Sequence, residues 1–366
     1  MNNTDATLVN VARRRARAAR ARRALLLTLS STLTAAGAAH AEMPSSPTVA
    51  GATGAEPEGS VASTPAAPAT LAPPATEQRY SLPWQLRPVT TGNVVRIDSA
   101  AAVFNDANGN LDAAVTTVLA GSYQLTREWA PMVRLGFVGN DAPGAALDGS
   151  SFVNPVVGAT YARNVDTMGS YRFALFGATT IPIGTGGGNA PNVGAAKTNA
   201  ASITARPADN AMFAVNYMTE IVGADFAYVN QGFTAQVEAT LLQFVRVRGD
   251  NSAAATDTFR TNSAVGLHLG YFIGSHFSLG ADLLYQRWLS HPTTLNAMTG
   301  AHVPLSDANM DTVTVAAGPR LHFRLGKNAW IRPGISYVRG IDARGFDAPL
   351  ITARTTAVLL DIPVMF

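Results

Sequence analysis

Charge is scarce in this sequence. Asp, Glu, Lys and Arg make up 14% of its 366 residues, and lysine occurs only at Lys197 and Lys327. A soluble globular chain carries roughly 25% charged residues, so there is too little charge here to cover a large water-facing exterior. Cysteine is absent, which excludes a disulfide framework and any thiolate metal site. After the N-terminal region no 18 consecutive residues are apolar, which excludes a later transmembrane helix. The six histidines form no His-x-His or His-Glu-x-x-His pair, so no metal site and no cofactor are expected. No repeat with a period of 20–50 residues is visible either.

The positive charge that is present sits in one block. Residues 1–41 hold seven arginines (13, 14, 15, 17, 20, 22 and 23) against Asp5, a net of +6; taking this from the whole-chain +3 leaves −3 for residues 42–366. A basic pI with this origin argues against a nucleic-acid partner. The block reads as a targeting segment, with an Arg-rich start, an apolar stretch from Ala24 to Ala39, and a close at Ala39-His40-Ala41. Small residues at those positions predict cleavage between Ala41 and Glu42, a signal peptide over 1–41, and general secretory export. Residues 42–79, rich in Ala, Pro, Thr, Ser and Gly, offer almost nothing to bury and read as a disordered linker.

From residue 80 the chain alternates with period 2. Phe233, Ala235, Val237, Ala239 and Leu241 are apolar, while Gln236, Glu238 and Thr240 stand between them. Val313, Val315, Ala317, Pro319, Leu321 and Phe323 alternate with Thr312, Thr314, Ala316, Gly318, Arg320, His322 and Arg324. Apolar and polar sides at 180° per residue are a strand signature. About twelve such segments occur: 94–104, 112–125, 131–138, 152–163, 170–182, 221–229, 232–247, 263–273, 276–289, 312–325, 329–339 and 352–366. Tight connections alternate with long ones rich in Gly, Asn, Asp and Ala, the longest being 183–220. That layout predicts an all-β fold over 80–366, a transmembrane antiparallel up-and-down barrel of about twelve strands in a bacterial outer membrane. Aromatics bracket the short turns, as in Tyr123/Trp129, Tyr161/Tyr171, Tyr228/Phe233, Tyr271/Phe277 and Phe323/Trp330, as a membrane-interface girdle would.

Even-numbered strand positions then place Arg96, Asp98, Arg134, Arg172, Glu238, Arg246, Asp282, Arg320, Arg324 and Arg332 toward the lumen, and the parity of the last strand adds Asp361. Two readings of these charges stay open. They form a positive constriction that selects solutes, or they pair across neighbouring strands and stiffen a narrow barrel. In the 183–220 connection, the run from Ala211 to Met218 is too apolar to stay in water. A short helix or strand is expected there, in the lumen mouth or on the rim.

Four resemblances follow from particular residues. The last strand, Val358 to a final Phe366, resembles the signal read by the barrel-assembly machinery of Gram-negative outer membranes. Trp84-Gln85-Leu86-Arg87-Pro88 and Ala178-Thr179-Thr180-Ile181-Pro182-Ile183-Gly184 resemble pieces of the outer-membrane transporter family named for phenol meta-pathway degradation. That likeness implies carriage of small hydrophobic or aromatic compounds. The arginine-rich lumen is similar to twelve-stranded anion pores for acidic oligosaccharides. His276-Phe277-Ser278-Leu279-Gly280 partly resembles the His-x-Ser-Asn-Gly segment of outer-membrane phospholipase A, with Leu279 in place of Asn and no third group to orient the base. No enzyme is therefore expected. Asp106 to Asp112 has alternate oxygen ligands but lacks the calcium-loop Gly and Glu positions, and Gly184 to Gly188 lacks the Lys of a phosphate loop. The sequence thus predicts an outer-membrane channel for passive diffusion of small molecules. Its implied partners are lipid, lipopolysaccharide, the assembly machinery and a small solute.

Overall fold

The computed structural model describes residues 79–105, 111–141, 149–188, 206–249, 257–291, 293–295, 302–304, 311–326, 329–342 and 355–366. Twelve strands form one closed antiparallel ring. They are β1 (Val94–Asn105), β2 (Leu111–Ser122), β3 (Trp129–Asp141), β4 (Val156–Asn164), β5 (Tyr171–Thr180) and β6 (Tyr217–Asn230). Then come β7 (Phe233–Arg246), β8 (Phe259–Ile273), β9 (Phe277–Trp288), β10 (Asp311–Leu321), β11 (Gly334–Asp342) and β12 (Thr356–Met365). Each strand pairs with the next, and β1 closes on β12 from Val94↔Met365 to Val103↔Thr356. Closure leaves no open edge in the ring, the condition for strands in lipid.

Side chains sort by parity. On β7, Thr234, Gln236, Glu238, Thr240, Leu242 and Phe244 are buried, whereas Val237 is 49% and Leu241 42% exposed. Outward residues of other strands are likewise apolar and exposed, among them Leu119, Val133, Leu175, Val222, Val265, Leu283 and Ile335. The arrangement inverts that of a soluble protein, with an apolar belt outside and polar groups buried within. Parity reverses on β12, where Asp361 stands opposite Asp98 of β1.

The short turns cluster at one end, and the tightest is Gln231-Gly232, whose φ values of 47° and 87° give the two-residue hairpin that matches strand twist. Aromatics gather at this end across strand pairs. Trp129 meets Tyr161 and Tyr171 meets Tyr228, each with ring centroids 5.2 Å apart. Three of the expected strands are broken. The 152–163 segment splits into Gly149–Phe152 and β4 around Asn154-Pro155, 312–325 breaks at His322, and 329–339 breaks before Gly334 at Pro333. Proline cannot donate to a ladder, so two of these breaks follow from covalent structure.

Candidate functional site

The lumen is filled by two inserted segments. One is residues 79–93, which pair with no strand. At one end Thr91 Oγ1 donates to Arg127 O at 2.8 Å and Gln124 N to Asn93 Oδ1 at 2.8 Å; at the other Arg79 Nη1 donates to Gly274 O at 2.6 Å. Arg127 and Gly274 both lie in short turns. The segment therefore enters from the short-turn end, reaches up the lumen, and returns: it is a re-entrant finger.

Charged wall residues grip its backbone. Asp282 Oδ2 accepts from Trp84 N (2.8 Å) and Gln85 N (2.7 Å), while its Oδ1 lies 2.6 Å from His268 Nδ1. Glu238 accepts from Arg87 N at 2.6 Å and pairs with the Arg87 guanidinium at 2.8 Å. Gln236 Nε2 donates to Arg87 O at 2.6 Å, and the guanidinium sits 3.9 Å over the Phe176 ring. The wall is also stripped of side chains where the finger lies. A Cβ on Gly266 would fall 2.7 Å from Leu86 Cγ, one on Gly334 2.5 Å from Trp84, and one on Gly270 would collide with Ser81. Glycine is required there by close approach, not by turn geometry.

The second inserted segment belongs to the long connection before β6. Pro207–Asp209 forms a 3-10 turn and Asn210–Phe213 a single helical turn. Ala211, Met212 and Phe213 are buried in a cluster with Val118, Leu242, Phe244 and Trp288 of the inner wall. The apolar run thus lies inside the barrel rather than on its rim. Asn154 fixes its exit, donating from Nδ2 to Ala214 O at 2.9 Å and to Tyr217 O at 3.1 Å.

A chain of ion pairs joins this segment to the wall. Asp209 meets Arg134 and Arg206 at 2.6 Å each, Arg206 meets Asp98 at 2.6 Å, Arg96 meets Asp98 at 3.5 Å, and Asp361 meets Arg96 and Arg320 at 2.6 Å each. Arg320 in turn stacks 4.2 Å over the Trp84 ring of the finger. Breaking a buried pair by removing one partner costs about 3–5 kcal/mol, so this chain clamps both inserted segments to one another through β1, β12 and β10.

Of the sequence-derived lumen residues, the structure brings Arg96, Asp98, Arg134, Arg320 and Asp361 into that chain, and assigns Glu238 and Asp282 to the finger. Arg172 is half-buried with its guanidinium 5.4 Å from the Tyr80 ring. Arg246 is half-buried at the long-loop end of β7, and Arg332 is half-buried with its carbonyl accepting from Arg320 at 2.9 Å. Arg324 is exposed in the short strand Phe323–Leu325 beyond the break at His322. Phe366 is 58% exposed at the short-turn end, its N–H donating to Asn93 O at 3.0 Å.

Sequence reasoning missed Tyr80, Trp84, Arg87, Arg206 and Asp209 as lumen residues. A signal existed: Tyr80, Leu82, Trp84 and Leu86 alternate like a strand, and Gly266 and Gly270 occupy inward parity where a side chain is usual. Between the finger and the second segment lies a cavity of about 160 Å³, lined by Leu86, Arg87, Arg96, Arg134, Arg206, Leu242 and Leu284 among others. An apolar cavity of about 150 Å³ holds one benzene.

Other candidate chemistry finds little geometry. Ser278 hydrogen-bonds not His276 but His322, Nε2 at 2.8 Å, and the other ring nitrogen of His322 meets no partner among the described residues. Both Ser278 and His322 are sealed from solvent, so no oriented triad with access to an ester is assembled. The glycine run 184–188 is wrapped by Asn154, Asn216 and Arg248. No cluster of metal-ligating residues occurs among the described residues. The calcium-loop candidate at Asp106 to Asp112 falls largely on 106–110, and the signal peptide and most of the linker on 1–78, outside the described residues.

No family model matches the chain, and no curated protein matches it. Among solved structures it is similar to an outer membrane channel designated COG4313 from Pseudomonas putida F1, at 13% identity and a TM-score of 0.48, covering 77% of this chain and 98% of that one. It is similar also to the NanC porin, at 11% identity and a TM-score of 0.44 over 74% of this chain and 98% of that one. A third likeness is the TodX monoaromatic hydrocarbon channel, in its deltaS2 mutant form, at 12% identity and a TM-score of 0.34 over 75% of this chain and 89% of that one.

Proposed function

We propose that this chain is an outer-membrane channel through which small molecules diffuse passively. The observation that carries the reading is the inverted polarity of a closed twelve-stranded ring, apolar outside and charged within. Such a ring is stable in lipid and leaves only its lumen for polar traffic. Short turns mark the periplasmic end, so the finger enters from the periplasm. In this reading residues 1–41 are removed on export and 42–79 form a linker. The outer belt contacts lipid and lipopolysaccharide, and Phe366 is read by the assembly machinery. The buried Ser278–His322 contact supports no hydrolase, and the protein acts without enzymatic chemistry.

The two lumenal segments favour a second reading, a non-conducting structural barrel. An anion pore for acidic oligosaccharides is favoured less, because the finger and the segment before β6 fill the lumen that a sugar chain would have to thread. Single-channel recording of the refolded protein in planar bilayers separates these readings. A channel gives discrete steps of small conductance; a silent membrane at protein densities that yield intact barrels sinks the proposal.

A further inference from the structure

We infer that the lumenal chamber is a binding site for a small amphipathic carboxylate: one carboxylate on an apolar body about the size of a six-membered ring. The inference rests on the channel reading and narrows it.

Four guanidinium groups line the chamber, on Arg87, Arg96, Arg134 and Arg206, against three carboxylates, on Asp98, Asp209 and Glu238. Arg96 is held besides by Asp361, which it shares with Arg320, so the five arginines of the network stand against four acids and one positive charge is in excess. The guanidinium groups converge from four separate elements: the finger, β1, β3 and the 3-10 segment that follows Arg206. Arg134 makes its ion pair to Asp209 through one nitrogen, Nη2, and its side chain keeps 19% exposure. Arg87 keeps 21% and Arg96 17%, so none of the three side chains is sealed within the wall. A guanidinium holds five N–H donors in a planar fork that matches a carboxylate. An incoming anion would supply acceptors to donors that the resident acids do not cover.

Most of the remaining wall is apolar, although Gln85, Thr90, Ser122, Thr160, Thr240 and Gln286 also line it. Leu86 of the finger faces Val118, Leu242 and Leu284 across the chamber. These side chains offer no hydrogen bonds, so a ligand hydroxylated all round would leave its polar groups unpaired there, at about 1–3 kcal/mol each. The volume of about 160 Å³ matches a single ring. Charge selects the head group, and the leucines select the body.

The test is calorimetric titration of the full barrel, refolded in detergent micelles, with benzoate, cyclohexanecarboxylate, benzyl alcohol and glucuronate. Both apolar carboxylates should bind saturably, and about tenfold more tightly than the neutral alcohol or the hydroxylated acid. Arg134→Gln should weaken the two carboxylates about tenfold while leaving the alcohol unchanged. Leu242→Trp fills the chamber without altering charge and should abolish binding of both, and it decides the matter if Arg134→Gln does not refold. Benzyl alcohol binding as well as benzoate overturns the inference, as does the absence of saturable binding by either carboxylate. Binding in micelles needs no current. A barrel that binds but never conducts therefore overturns the channel reading alone, and one that conducts but does not bind overturns this inference alone.

Discussion

At the scale of single residues, position on the ring decides what a charge costs. Val237 lies in the middle of β7 with 49% of its surface exposed, and Ile273 ends β8 at the short turns with 51% exposed. Val237→Arg should destabilise the barrel by about 2–4 kcal/mol and Ile273→Arg by about 0–1, because the cost of a lipid-facing charge falls from midplane to interface. Urea unfolding from lipid vesicles measures both, and equal costs would mean that the belt does not face hydrocarbon. A pH effect belongs to Asp166 in the β4–β5 turn. Its Oδ1 accepts from Tyr171 N at 2.9 Å, and that N–H holds the carboxyl below the usual range, slight desolvation acting the other way. A depressed carboxylate contributes above its unfolded value and loses that contribution as pH falls through the folded one. Exchange protection of the Tyr171 amide should therefore persist through the ordinary carboxylate range and fade only below it, whereas Asp166→Asn should remove that dependence.

At the scale of elements, the strands were legible and the inserted segments were not. Period-2 alternation survives in β7 and β10 because each strand separates lipid from lumen at every residue, so sequence and burial carry the same pattern. The finger also alternates from Tyr80 to Leu86, but its bonds run from main chain to side chains about 150–200 positions away, such as Asp282 and Glu238, and no local period encodes them. The same long range explains why Asp282 read as a partner for a strand arginine when it holds two backbone N–H groups instead. The apolar run before β6 could be recognised as needing burial, yet its place inside the barrel depends on Asp209 meeting Arg134 across the lumen. Deleting residues 79–91 should raise single-channel conductance several-fold, since the lumen on the β7–β9 side loses its filling. Gly270→Leu should do the same without shortening the chain, because the added side chain would occupy the place of Ser81. If both variants fold and neither changes the current, the conducting path does not run past the finger.

At the scale of the whole molecule, ring closure and the proposed assembly signal involve the same residue, Phe366. Phe366 presents a ring at the short-turn end, and its N–H bonds the carbonyl of Asn93, where the finger passes into β1. The ring and the N–H can be separated. Phe366→Ala keeps the backbone donor and removes the aromatic side chain that the assembly machinery is proposed to read. Deleting Phe366 removes both, and a barrel whose first and last strands are less firmly joined should also lose stability after it has formed. In cells, both variants should lower the amount of heat-modifiable, protease-resistant barrel in the outer membrane, with export to the periplasm unchanged. After refolding from urea into detergent, where no assembly machinery takes part, Phe366→Ala should match the parent, while the deletion should lose about 0.5–1.5 kcal/mol, the worth of one hydrogen bond. Normal assembly of Phe366→Ala in cells would show that the terminal ring is not the recognised feature, and equal stability of the deletion would show that the bond to Asn93 does nothing for closure.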